Sequence, residues 1–114
     1  MQADSHEEYN ASKSKALKEV TRRIVDSVKP QRVLLFGSAA RGRMNRNSDF
    51  DLLVVMSGRA HRRNAAQTIY RNLRGSGVAV DIVVATENDL KKYGKRAGTI
   101  LKTALQEGRV VYEA

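Results

Sequence analysis

Between Asp51 and Met56 the chain reads Leu52, Leu53, Val54, Val55, with no polar residue among them. Side chains of a strand point alternately to its two faces, so a strand with one wet face alternates in polarity, and this one does not. The run is too short for an ordinary helix, and it describes a strand buried on both sides. Such a strand needs a covering layer above and another below. Helical stripes are present to supply them. Ala16, Leu17, Val20, Ile24, Val25 and Val28 recur at helical spacing before Pro30, and Ala65, Ala66, Ile69, Tyr70 and Leu73 do so between about Arg59 and Leu73. The pattern predicts strands covered by helices on both faces.

The remaining elements fall into place around that strand. Arg32 to Phe36 reads as a short apolar strand cut off by Gly37, and Val78 to Ala85 as another, interrupted by one charge, Asp81. The buried strand itself is expected from about Asp49 to Met56. "TEND" at 86–89 has the form of a capped helix start, Gly94 and Gly98 divide the helical region that follows, and "RVVYE" after Gly108 reads as a terminal strand. Residues 1–12 are polar and expected to form a frayed lead-in, although Ser5 and Glu8 have capping-box spacing. One domain, 13–114, is expected, with no internal repeat.

Composition narrows the chemistry. With no cysteine and only His6 and His61, neither a disulfide framework nor a thiolate or histidine-rich metal site is available, so any metal must be held by oxygen. No apolar run approaches the roughly 20 residues that span a bilayer, and the N-terminus lacks a signal-peptide layout, which predicts a cytoplasmic protein without a membrane partner. A net charge of +9 would suit ATP, nucleic acid or an acidic protein equally. Nucleic acid is a partner the charge permits and does not require; Tyr and Phe are few and Trp is absent, thin material for base stacking.

Three carboxylates stand out against this background. Asp49 and Asp51 are two residues apart at the start of the buried strand, so they are expected on one face with Phe50 on the other. Asp81 lies inside an apolar strand, where an unpaired ionised carboxylate is costly and calls for a cation or a hydrogen-bond partner. If the two strands are neighbours, the three acids converge. Their mutual repulsion would then be relieved by a hard cation with oxygen ligands, Mg²⁺ or Mn²⁺, which keeps some waters and pairs with phosphate. Gly37 and Ser38 would supply the phosphate cradle: Gly37 lets phosphate approach the backbone, while Ser38 adds a hydroxyl and an N–H at a helix start. Arg41, one turn on, can neutralise phosphate charge or meet a nearby acid. Each feature also has a plainer use: the Gly-Ser pair as a turn, Asp49 as a strand-start cap, Asp81 as an arginine's partner.

Taken together these residues resemble a known family, the minimal nucleotidyltransferases of the DNA polymerase beta superfamily, whose signature is Gly-Ser, ten residues, then Asp-x-Asp. Gly37 and Ser38 are followed by ten residues, Ala39 to Ser48, and then by Asp49, Phe50 and Asp51. A third acid on a later strand is matched by Asp81, and the tail by "EGRVVYE". The resemblance implies an α/β class, a small mixed β-sheet with helices packed on it in a polymerase-beta-like nucleotidyltransferase fold, that binds ATP with two Mg²⁺ ions. Asp49 and Asp51 would be metal ligands, Asp81 a metal ligand or proton acceptor, and Gly37 with Ser38 the triphosphate cradle. Short members of the family are similar to the antitoxins of HEPN/MNT toxin–antitoxin pairs, which implies AMP transfer to a tyrosine of a HEPN-type toxin within a hetero-oligomer. A small sheet has little surface left to enclose an acceptor, in keeping with a protein partner. Two other functions remain open at this stage: transfer to a small molecule of the aminoglycoside kind, and a non-catalytic module that binds a toxin or nucleic acid.

Overall fold

The computed structural model describes the backbone of residues 5–37 and 49–114, and the side chains of 12–37 and 49–114. Ser38 and Arg41 lie outside the described residues. Along the chain run α1 (Ser5–Val28), β1 (Arg32–Phe36), β2 (Phe50–Met56), α2 (Arg62–Leu73), β3 (Val80–Thr86), α3 (Glu87–Tyr93), α4 (Ile100–Glu107) and β4 (Arg109–Glu113). The four strands form one sheet in the order β3-β2-β1-β4. β1 is antiparallel to both β2 and β4, whereas β2 and β3 are parallel and joined through α2. The sheet is therefore mixed, and the apolar run 52–55 lies on an interior strand.

Every residue of β2 is buried, Asp51 included, and the apolar run 52–56 requires cover on both sides. Phe50, Leu52, Val54 and Met56 point to one side, where they join Val33 and Leu35 of β1, Val20 and Ile24 of α1, and Ala65, Ile69 and Leu73 of α2. Leu53 and Val55 point to the other, with Leu34, Phe36, Ala85 and Ala104, and with Leu90, Leu101 and Leu105 of α3 and α4 packed around them. Period-2 alternation thus divides one continuous hydrophobic run between two cores.

Local signals set the element ends. Pro30 follows α1, and Lys29 between them takes a positive φ of 51°, turning the chain toward β1. Thr86 caps α3 reciprocally: its Oγ1 accepts from the Asp89 N–H at 3.1 Å and its own N–H donates to Asp89 Oδ2 at 2.9 Å. Gly94 ends α3 where a Cβ would collide with the Leu90 carbonyl and crowd Leu105, so α4 can pack close by. At the outer edge of β3 the Tyr70 hydroxyl, reaching over from α2, accepts the Ile82 N–H at 2.9 Å.

Candidate active site

Asp51 is the second residue of β2, opposite Phe36 of β1 on one side and opposite Asp81 of β3 on the other. Residues in register on neighbouring strands share a face, so Asp51 and Asp81 both lie on the side of Leu53 and Val55, beside α3 and α4, with Cα atoms about 5 Å apart by the spacing of strands. Their exposures differ. Asp51 is 9% exposed on its interior strand, while Asp81 is open to solvent on the edge strand β3. The burial cost foreseen for Asp81 is therefore avoided by its position, because an apolar sequence around a residue does not by itself bury an edge strand.

Gly37 follows β1 directly and stands against Asp51. Its φ is +75°, a conformation that L side chains rarely adopt, and a Cβ built there would collide with Oδ2 of Asp51. Glycine is thus required for two independent reasons. Its bare backbone lies against the most buried of the acids.

Asp49 is placed differently. It precedes β2 by one residue, so strand alternation does not govern it. Its N–H donates to the Ala79 carbonyl at 2.7 Å and its Oδ2 accepts the Ala79 N–H at 3.1 Å, extending the β2–β3 pairing one step beyond the strands. Its Oδ1 is 3.7 Å from Nζ of Lys13, on α1. That ammonium also lies 4.7 Å from the centre of the Phe50 ring. The structure brings Asp51 and Asp81 together on one face and engages Asp49 toward α1. Among the described residues no three acidic or histidine side chains gather as a ready metal site. Lys13 was missed by the sequence reading, since it falls in a polar stretch, "SKSKALK", in which nothing distinguishes one lysine from another.

The donors are all oxygen. Two carboxylates on one rung repel each other, and a hard divalent cation both relieves that repulsion and accepts such ligands. The space beside the Gly37 backbone is taken by the Asp51 carboxylate itself, so glycine there is what lets that acid sit against the end of β1. The residues present therefore fit a divalent cation.

At the opposite end of the sheet, Asp89 has another role. Burial pushes its carboxyl up, but hydrogen bonds from Thr86 and the Arg62 guanidinium at 3.1 Å outweigh this and hold it below the ordinary carboxylate value. It secures α3 to the start of α2.

The nucleotidyltransferase domain family matches the chain over residues 14–111. The chain belongs to that family. No curated protein matches it. Among solved structures it is similar to a candidate nucleotidyltransferase from Sulfolobus solfataricus, with a TM-score of 0.64 and 23% identity over 98% of this chain and 90% of the other. It is also similar to a mutant form of the toxin–antitoxin pair MntA–HpeT, with a TM-score of 0.53 and 20% identity over 85% of this chain and 73% of that one. At these identities the likeness is one of fold, and it agrees with the small mixed sheet and covering helices expected from the sequence.

Proposed function

We propose that this chain transfers AMP from ATP to a hydroxyl, that of a tyrosine, on a partner HEPN-type toxin, and so acts as the antitoxin of a pair working in the cytoplasm. The observation that carries the reading is the in-register placement of Asp51 and Asp81 beside the side-chain-free backbone of Gly37. Asp49 and Asp51, with Asp81, would hold two Mg²⁺ ions, which when bound neutralise phosphate charge and lower the barrier to displacement. Gly37 and Ser38 cradle the triphosphate through backbone N–H groups, and Arg41 offsets its charge. The acceptor oxygen forms a bond to the α-phosphorus as the bond to pyrophosphate breaks. Asp81, on the open edge strand, is reachable by an incoming hydroxyl and receives its proton or completes the ligand set.

The choice of partner is supported by the fold likeness to MntA–HpeT, a toxin–antitoxin pair whose mutant carries two Asp-to-Glu substitutions two positions apart, the spacing of Asp49 and Asp51. The test is incubation with α-phosphate-labelled ATP, Mg²⁺ and a HEPN-type partner encoded beside this chain. Label is expected on the partner and is expected to vanish with Asp51→Asn. An unlabelled partner would overturn the proposed acceptor, and label on an aminoglycoside in its place would move the reading to small-molecule transfer.

A further inference from the structure

The carboxylate of Asp49 is turned toward α1, with Oδ2 on the Ala79 N–H at 3.1 Å and Oδ1 facing Lys13 Nζ at 3.7 Å. Asp51 and Asp81 share the opposite, α3/α4 side of the sheet. Asp49 lies one residue before the regular strand. Lys13 is well fixed to hold it: the Nζ lies over the Phe50 ring, and the side chains of both Lys13 and Asp49 are partly covered, at 23% and 37% exposure. A small hollow lined by Ser12, Lys13, Ala16, Asp49, Phe50 and Val78 surrounds the pair.

We propose that Lys13 is a positioning residue that latches the Asp49 carboxylate away from Asp51 and Asp81 in the metal-free protein, so that a divalent cation must take Asp49 from the lysine to complete its ligand set. The inference rests on the functional reading above, because it concerns the same cation. Its physical basis is competition between two cations for one carboxylate. An ammonium fixed by an aromatic face and a helix stabilises the turned-away rotamer, and it also keeps a third negative charge from adding to the repulsion between Asp51 and Asp81. The coupling is reciprocal: whatever the Lys13 contact contributes to the latched state is subtracted from the affinity for the cation.

The test is Mn²⁺ binding to the nucleotide-free protein, followed by electron paramagnetic resonance, for the wild type, Lys13→Gln, Lys13→Arg, Lys18→Gln and Asp51→Asn. Lys13→Gln is expected to bind Mn²⁺ roughly three- to fivefold more tightly, the range set by a partly exposed ion pair. Lys13→Arg keeps the charge and is expected to stay near wild type, as is Lys18→Gln, which removes the same charge from an exposed position on the same helix. In the wild type, titration with diamagnetic Mg²⁺ should also shift the Ala79 amide resonance as its carboxylate acceptor leaves. Tightening by Lys18→Gln equal to that by Lys13→Gln would reduce the effect to general charge and overturn the latch, as would unchanged or weaker binding in Lys13→Gln. Failure of the underlying functional reading looks different: the wild type would bind no Mn²⁺, or Asp51→Asn would bind it as well as the wild type does.

Discussion

The two faces of the sheet are covered unequally. One lies under α1 and α2, 24 and 12 residues long, and its core draws buried side chains from both helices and from β1 and β2. The other lies under α3 and α4, of 7 and 8 residues, where Ala104 is the one fully buried helix side chain and Leu90, Leu101 and Leu105 are half-covered. The thick face makes the fold stable. Among the described residues the thin side has fewer buried helix side chains, and it carries both Asp51, 9% exposed on its interior strand, and Asp81, open to solvent on the edge strand. The two acids thus lie on the face away from the main core.

Asp51→Asn probes the division most directly. On the functional reading it lowers nucleotide transfer by about a thousandfold or more, since electrostatic groups at the reacting centre contribute on that scale, while circular dichroism shows the fold retained. Loss of the fold instead would place Asp51 among the structural residues. Next come paired truncations in the two cores. Ile69→Ala, fully buried on the thick side, is expected to cost about 3 kcal/mol by denaturant unfolding, and Leu101→Ala on the thin side about 1 kcal/mol. Equal losses would erase the contrast between the faces.

Gly37→Ala tests the boundary where stability and activity meet. The positive φ and the collision with Asp51 are expected to cost about 1–3 kcal/mol, and transfer should fall further than that loss accounts for, because the methyl occupies the approach to the carboxylate. The smallest effect belongs to Asp89, whose carboxyl is held below its ordinary value by Thr86 and Arg62 against the opposing push of burial. A depressed carboxyl stabilises the fold fully above the ordinary carboxylate range and ceases to do so as pH falls through the lowered value. Asp89→Asn should therefore be less stable than wild type by roughly 0.5–1 kcal/mol at neutral pH, and the gap should close in acid. A gap that stayed constant with pH would assign the effect to shape rather than charge.

Much of this arrangement is legible in the residues. β1 and β4 occupy the stretches "RVLLF" and "RVVYE", and the division of the last helical region follows from its glycines. The apolar run 52–55 of β2 announced cover on both faces because nothing else makes four branched apolar side chains in succession tolerable. The order of the strands is not written locally. Whether Asp81 would be buried depended on β3 falling at an edge, a property of the whole sheet. Asp49 shows a similar limit: alternation predicts a face for a residue within a strand, and this one stands a single position outside it. Lys13 could not be singled out at all, because its role depends on where α1 lies across the end of β2.

Ile82's amide, taken up by the hydroxyl of Tyr70, bears on how such molecules associate. A border strand with free donors invites another chain to zip on, and here one of those donors is already satisfied from within. Growth by strand addition is thereby discouraged on the flank that carries Asp81, leaving that flank accessible to whatever must reach the acid.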